Sequence, residues 1–152
     1  MRDIKEKNLE RGAALVELAM VLPFLLLILM GIVEFGLLFY NQQVLTNSSR
    51  EGARAGIALN GKALDDKGID TAVKFENEVD GVVQNYCQQH FITFGAGQAV
   101  DTTVAGALST YPTELTVNVT YTYTFLIPDL FDLDTTMQLS ASTVMNMERT
   151  LN

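Results

Sequence analysis

The sequence predicts an α+β protein in which a long N-terminal transmembrane helix continues into a small domain, where a second helix packs on an antiparallel β-sheet of about three strands. Three observations predict this layout. Residues 13–40 form an apolar run, residues 71–90 carry apolar side chains at helical spacing, and residues 114–125 alternate apolar and polar side chains as a half-buried strand does. Helices that precede strands, without alternation, favour the α+β class.

The apolar run is long enough to cross a membrane. At a rise of about 1.5 Å per residue its 28 residues form a helix of roughly 42 Å, whereas the hydrocarbon core of a bilayer is about 30 Å thick. A cleaved secretory signal has an apolar region of only about 7–15 residues that ends at a small-residue site. This run ends instead in Phe39, Tyr40 and Asn41. We therefore expect the helix to be retained in the mature protein.

The chain divides into three predicted parts: a leader over residues 1–12, the transmembrane helix over 13–40 and an extracytoplasmic α+β domain over 41–152. The leader carries four basic and three acidic side chains, a bias that favours a cytoplasmic N-terminus only weakly. The residues after Tyr40 carry six Lys or Arg and thirteen Asp or Glu side chains. Because nucleic-acid binding needs a basic surface, this acidic domain argues against a nucleic-acid partner.

Local patterns assign the elements of the domain. The first helix is expected to continue to about Asn60 and to bring Gly52 and Gly56 against the sheet, because two glycines four residues apart permit a close approach. The second helix covers residues 71–90. Its predicted apolar side comprises Val73, Val79, Val82, Val83 and Tyr86. Strands are predicted over residues 114–125 and 137–147, and a less regular third strand over 100–107.

The sequence contains no recognisable catalytic or metal-binding constellation. No serine–histidine–acid set, metal cluster or phosphate loop is visible, and His90 is the only histidine. The only cysteine, Cys87, rules out an intrachain disulfide and is expected to be a buried helix residue. Cys87 and His90 are three residues apart and are expected on one helix face, yet zinc needs two more ligands. We predict that the protein is not an enzyme and holds no metal and no cofactor.

Glu17 is the unusual residue of the apolar run, since a carboxylate placed centrally in a spanning helix costs about 2.5–3.5 kcal/mol. It is the fifth residue after a possible cleavage between Gly12 and Ala13. A short charged leader, a glycine and an apolar helix with glutamate at its fifth position resemble type IV prepilins. The resemblance implies that a prepilin peptidase frees the α-amine of Ala13 and that Glu17 of a neighbouring subunit neutralises it. Alternatively, Glu17 lies at the headgroup level near a helix N-terminus, where negative charge is tolerated.

Two longer stretches resemble the TadE-like family. They are RGAALVELAMVLPFLLLILMGIVEFG, residues 11–36, and VLTNSSREGARAG, residues 44–56. Members of that family are pseudopilin-type or minor pilin-type components of bacterial tight-adherence (Tad, Flp) pilus systems. Major Flp pilins are much shorter and usually carry Glu-Tyr after the cleavage glycine, whereas here Leu18 follows Glu17 and a full domain follows the helix. The resemblance therefore implies a pseudopilin or minor pilin with a pilin-like fold.

The same resemblance implies the location and the partners. The chain would be a single-pass protein of the bacterial inner membrane, with a cytoplasmic N-terminus and an extracytoplasmic domain, and would enter the extracellular pilus. Its partners would be pilin-like subunits, through helix–helix packing, together with prepilin peptidase and inner-membrane assembly proteins. The alternative is a membrane-anchored scaffold or binding module of the same machinery that is never polymerised.

Pro23 and Glu34 are two further candidates for subunit assembly. Proline removes one backbone hydrogen bond of the helix and is expected to bend it near residues 19–23, which either eases bundle packing or is a tolerated bend. Glu34 is 17 residues from Glu17, so the two carboxylates point about 100° apart and do not form an acid–base pair. Glu34 either contacts a partner subunit or reaches the membrane interface.

Overall fold

The computed structural model describes residues 2–59, 68, 72–93, 97, 100–106, 114–126 and 136–146, with side chains from residue 12 onward. The helices and strands in these ranges are α1 (Arg2–Ala58), α2 (Ala72–His90), β1 (Asp101–Ala105), β2 (Glu114–Thr124) and β3 (Thr136–Asn146). The chain forms two compact units, Met1–Gly36 and Leu37–Asn152. A long apolar helix, a second helix and an antiparallel three-stranded sheet confirm the predicted α+β, pilin-like layout.

In the first unit, α1 exposes apolar side chains on all its sides. The large apolar residues between Leu15 and Val33 are exposed by 45% (Leu22, Met30) to 71% (Phe24). Over Gly12–Ala58 the helix is long and apolar enough to cross a membrane, judged by length and composition. An apolar surface of this extent marks a membrane-facing or helix-facing segment rather than a solvated one.

In the second unit, one face of α1 is buried. Small residues predominate on this face, and its buried members recur at helical spacing: Leu38, Asn41, Leu45, Ser48, Ser49, Gly52, Ala53 and Gly56. A Cβ atom added at Gly52 would lie 2.6 Å from Cγ2 of Val83, and one added at Gly56 would overlap the Leu115 side chain. The predicted close approach of these two glycines is confirmed, with α2 and β2 as the elements approached.

The α2 helix buries one row of side chains at four-residue intervals: Phe75, Val79, Val83 and Cys87. The structure corrects one part of the predicted apolar side, because Val73 is 64% exposed. The buried positions follow the single row of side chains spaced by four residues that points at the sheet. Phe75 and Cys87 lie in that row, whereas Val73 lies about 160° around the helix from Phe75.

The sheet has the strand order β1-β2-β3 with both pairings antiparallel. The β1–β2 register runs from Asp101↔Thr120 to Ala105↔Thr116, and the β2–β3 register from Glu114↔Asn146 to Thr124↔Thr136. Gly106 follows β1 with φ of 89°, and a Cβ there would overlap the carbonyl oxygen of Glu114, so this position requires glycine. The three predicted strands are confirmed; residues 107 and 147, at their predicted ends, lie outside the described ranges.

The core lies between the sheet and the two helices. Alternate residues of the central strand face it, and Leu115, Val117 and Val119 are 0% exposed. Tyr121 and Tyr123 continue this row and are 4% and 5% exposed. The opposite face of the sheet carries mainly threonine, serine and amide side chains, as expected for an antiparallel sheet with one solvated face.

Three amide side chains tie the helices to backbone groups elsewhere in the second unit. Asn41 on α1 is fully buried and forms two hydrogen bonds with Ile92: its Nδ2 donates to the carbonyl oxygen (3.0 Å), and its Oδ1 accepts from the backbone N–H (3.2 Å). Gln42 Nε2 donates to the carbonyl oxygen of Ser140 in β3 (2.9 Å). Gln84 Nε2, on α2, donates to the carbonyl oxygen of Val100 (2.5 Å).

Candidate functional site in the apolar helix

The five predicted site residues Gly12, Ala13, Glu17, Pro23 and Glu34 all lie on α1. A helix of about 1.5 Å rise per residue separates Glu17 and Glu34 by about 26 Å along the axis. The structure therefore keeps the two carboxylates apart, as the spacing predicts. Glu17 and Glu34 are therefore two separate groups on this helix and do not form an acid–base pair.

Gly12 and Ala13 are helical and exposed. A Cβ atom added at Gly12 would meet nothing within 4 Å, in contrast to Gly52. Packing inside the chain therefore gives no reason for glycine at position 12. A specific requirement for glycine there would have to come from another molecule, such as a processing enzyme.

Glu17 is exposed on the apolar surface of the helix. Its neighbours Leu15, Val16 and Leu18 are exposed by 67%, 61% and 57%. A carboxylate among side chains that face hydrocarbon is costly unless it reaches the headgroups or pairs with a cation. The geometry leaves room for both alternatives that the sequence raised.

Pro23 lies inside α1, which is helical throughout Arg2–Ala58. Proline has no backbone N–H, so the carbonyl of Ala19 has no hydrogen-bond donor four residues later. The bend expected near this position stays a prediction.

Glu34 is 4% exposed, whereas the adjacent Val33 and Phe35 are exposed by 50% and 57%. It is the one charged residue among the buried residues of the described chain. Burial of this extent distinguishes it from Glu17, although both interrupt the same apolar run. Its role in assembly stays a prediction.

The second unit contains two potentially reactive side chains, Cys87 and His90, and both contact residues of their own chain. Cys87 is fully buried, and burial raises the pKa of its thiol, an effect that a hydrogen bond with Ser48 partly opposes. A thiol kept protonated in this way is a poor nucleophile. His90 is exposed, stacks on Tyr86 with ring centroids 4.3 Å apart, and its Nδ1 is 2.8 Å from the Tyr86 carbonyl oxygen. The i, i+3 spacing places Cys87 and His90 about 60° apart around α2, with Cys87 buried and His90 exposed.

Within the described ranges, no group of three or more His, Cys, Asp or Glu side chains could hold a metal ion. Burial also raises the pKa of Tyr121, as it does that of Cys87.

The contacts of Asn41, Gln42 and Gln84 are not predicted by any pattern in the sequence. Each reaches a backbone group of a distant segment, a role that no local pattern reports. A signal for the first two was present, since Asn41, Gln42 and Gln43 follow the apolar run directly. Two of these three amides, Asn41 and Gln42, form the hydrogen bonds to distant backbone groups, whereas Gln43 is exposed.

The fold and the exposed helix define a class: a pilin-like α+β protein with one N-terminal helix of the kind that anchors proteins in membranes. Within that class, residues 12–54 match the family model described as TadE-like protein. The match confirms the resemblance found in the sequence and covers the apolar helix together with Gly52 and Arg54. Because this is a pilus-associated structural family, the match points to a Tad pilus-associated component. No curated protein and no solved structure matches the chain.

Proposed function

We propose that the protein is a membrane-anchored pseudopilin or minor pilin of a Tad-type pilus assembly system, and that it assembles through its N-terminal helix. The observation that carries the proposal is that the segment matched by the family overlaps the exposed apolar part of α1. The family match covers residues 12–54, and the large apolar side chains from Leu15 to Val33, which lie within it, are exposed by 45% to 71%. Apolar side chains that the described residues leave exposed on a helix are suited first to lipid and then to neighbouring helices.

The proposed assembly begins with processing. Prepilin peptidase would hydrolyse the peptide bond between Gly12 and Ala13, leaving a carboxylate on the released leader and a protonated α-amine on Ala13. Ala13 precedes Glu17 by four residues, or about 6 Å along the helix axis. A neighbouring helix displaced by that distance brings its amine level with Glu17, and the pair then neutralises two charges that hydrocarbon would otherwise penalise. Such pairing would set the axial register between subunits.

Pro23 and Glu34 complete the proposed assembly segment. A bend at Pro23 would adjust how neighbouring helices pack, and Glu34 would act at the outer end of the apolar run. The proposed partners are pilin-like subunits, prepilin peptidase and the inner-membrane proteins of pilus assembly. The proposed location is the bacterial inner membrane, with the domain outside the cytoplasm, before incorporation into the fibre.

The second candidate is a scaffold or binding module of the same machinery that stays in the membrane. The size of the second unit, Leu37–Asn152, favours it, because a folded domain of this length can bind a partner without polymerising. A scaffold needs the anchor but not the processing.

One measurement separates the two. The protein is purified from its native membrane and from sheared pili, and its intact mass and N-terminal sequence are determined. An N-terminus at Ala13 in the pilus fraction supports assembly. Met1 retained, in a host with an active prepilin peptidase, supports the scaffold. Glu17→Gln should abolish recovery in the pilus fraction, with Glu114→Gln, an exposed carboxylate at the start of β2, as the matched control.

A further inference from the structure

We propose that copies of this chain dock head to tail outside the membrane, with Arg50 and Arg54 of one copy entering the groove between α2 and β1 of the next. This proposal rests on the proposed function for the assembly in which copies meet, and it names the contact between their folded domains. The surfaces involved lie in the second unit and do not include the apolar residues 13–40 of α1.

The groove follows the outer edge of β1 and has a volume of about 360 Å³. Its helical wall carries Glu76, Asn77, Asp80 and Gln84, and its other wall is β1 with the residue that precedes it. Asp101, at the start of β1, adds a third acidic residue to the lining, and none of the described lining residues is Lys or Arg. It is therefore a negatively charged recess beside a sheet edge.

The edge of β1 adds backbone and hydroxyl acceptors to these carboxylates. No described strand pairs with β1 on that side. The Val100 carbonyl faces Gln84 there, and because backbone groups of alternate residues in a strand point the same way, those of Thr102 face the groove as well. The buried Oγ1 atom of Thr102 has no hydrogen-bond partner in the described structure. The Val100 carbonyl is already paired with Gln84, so the acceptors open to a ligand are the three carboxylates, the Thr102 carbonyl and the Thr102 hydroxyl. They match a ligand rich in hydrogen-bond donors.

Arg50 and Arg54 supply matching chemistry on the same chain. They are four residues apart on the exposed side of α1, and the Arg54 side chain is 72% exposed. Each guanidinium carries five N–H donors and no acceptor, and binds carboxylates in a planar, bidentate manner. Glu51 lies 3.7 Å from Arg54, an exposed pair of a kind that holds weakly and leaves most of these donors available.

The positions of the two surfaces require contact between copies. Gly52 faces Val83 of α2 and Val117 of β2, and Arg50 and Arg54, two residues to either side of it, lie about 160° away around the helix. Beside this part of α1, the Ser49 hydroxyl contacts that of Thr143 in β3 at 2.7 Å. The groove lies at β1, the opposite edge of the sheet.

One copy therefore cannot place its own arginines in its own groove. A contact between two different surfaces leaves a free ridge at one end and a free groove at the other. Instead of a two-fold dimer it gives a ring where the rotation between copies closes, and an open chain of subunits where it does not. Open continuation is the property that a fibre subunit needs.

The test is thiol cross-linking of the full chain in its native membrane. Asn47→Cys places a thiol on the exposed face of α1 that carries Arg50 and Arg54, and Asn77→Cys places one in the groove lining. The wild-type chain is the control, because its only cysteine, Cys87, is 0% exposed. A short bismaleimide should join the two variants when they are coexpressed with different tags, and neither variant when it is expressed alone. One chain carrying both substitutions should give a ladder of multimers.

Charge reversal tests the chemistry of the contact. Arg54→Glu on the Asn47→Cys chain should lower the cross-linked yield by about tenfold or more, since it sets like charges against each other. Asp80→Arg on the Asn77→Cys chain should lower it similarly when Arg54 is intact. Combining the two reversals should restore the yield. That recovery would also show that the variants fold.

The contrary outcomes are equally specific. Cross-linking of one variant alone would indicate a two-fold contact and overturn the head-to-tail arrangement. So would the absence of mixed cross-links, or reversals that fail to compensate each other. N-terminal sequencing of the same samples keeps the two proposals separate: chains cut before Ala13 and recovered in fibres, but without mixed cross-links, refute the docking contact and leave the proposed function standing.

Discussion

Gly52 offers a direct test of the packing between α1 and the rest of the domain. In a helix interior alanine is favoured over glycine by about 1 kcal/mol, so Gly52→Ala would stabilise an unobstructed helix. Here the new Cβ would lie 2.6 Å from Val83 Cγ2, 3.4 Å from Val117 Cγ1 and 3.5 Å from Val79 Cγ1. Overpacking of a core costs about 1–3 kcal/mol. Valine is stiff at χ1, so Val83 cannot rotate away without cost. We expect Gly52→Ala to destabilise the domain by about 0–2 kcal/mol.

The sign should reverse when Val83 is shortened. Val83→Ala alone should destabilise by about 2 kcal/mol or more, because it loses buried methyl groups and leaves a cavity. In that background the added Cβ of Gly52→Ala meets no γ-methyl at position 83 and fills part of the cavity. Gly52→Ala should then stabilise the domain by about 1 kcal/mol, which gives a clear coupling energy in the double-mutant cycle.

The assay is denaturant unfolding of the full chain in detergent, followed by tyrosine fluorescence. The chain has no tryptophan and five tyrosines, of which Tyr121 and Tyr123 are 4% and 5% exposed. The change in signal that these two contribute on unfolding reports on the core. Gly81→Ala is the matched control, because a Cβ there meets nothing within 4 Å and should give the full helical gain of about 1 kcal/mol. Equal stabilisation by Gly52→Ala and Gly81→Ala in the wild-type background would refute the close approach of α1 to α2.

Three further predictions concern buried polar groups. Asn41→Ala should lower the unfolding free energy by about 1–3 kcal/mol, since it removes two hydrogen bonds to Ile92, whereas Gln43→Ala, at an exposed position, should change it little; denaturant unfolding compares them. Cys87 should react with a maleimide only as fast as the domain opens, so labelling should accelerate sharply in denaturant; fast labelling of the native protein would contradict its burial. Burial raises the pKa of Tyr121 in the folded state, so its contribution to stability is complete below about pH 10 and is lost as the pH rises further; Tyr121→Phe should remove that part of the alkaline destabilisation in a pH series of unfolding curves.

The sequence predicts the elements of this fold well because most of them have a period of their own. The alternation over residues 114–125 reports a strand with one buried face, and the observed strand, Glu114–Thr124, differs by one residue. The second helix was placed within one residue of Ala72–His90 for the same reason. The face of that helix was less well predicted, since Val73 is apolar but exposed. Periodicity identifies an element, whereas the neighbouring elements decide which of its apolar residues are covered.

The polar contacts could not be predicted in this way. Gln42 and Ser140 are 98 positions apart, and Asn41 and Ile92 are 51 apart. Nothing local in either member of such a pair reports the other, because the contact exists only once the sheet and helices have packed. The groove beside β1 depends likewise on two elements and on the strand order. The candidate residues Gly12, Glu17 and Pro23 were visible in the sequence because their signal is a departure from the composition around them.

The α1 helix combines two kinds of surface, and under the proposed function this division separates folding from assembly. Between Leu15 and Val33 it exposes apolar side chains all around, so we expect substitutions there to leave the core of the domain intact. From Leu38 onward one face is buried in the domain, and glycines are needed where the helix approaches α2 and β2. Glu17→Gln should therefore leave the unfolding free energy of the domain unchanged, while Gly52→Ala alters it. The arginines that face away from Gly52 belong to neither surface: they are not needed for the core and lie beyond the apolar run. Because neither core packing nor the apolar run requires a particular residue at these positions, a positive charge there can serve the binding of a partner.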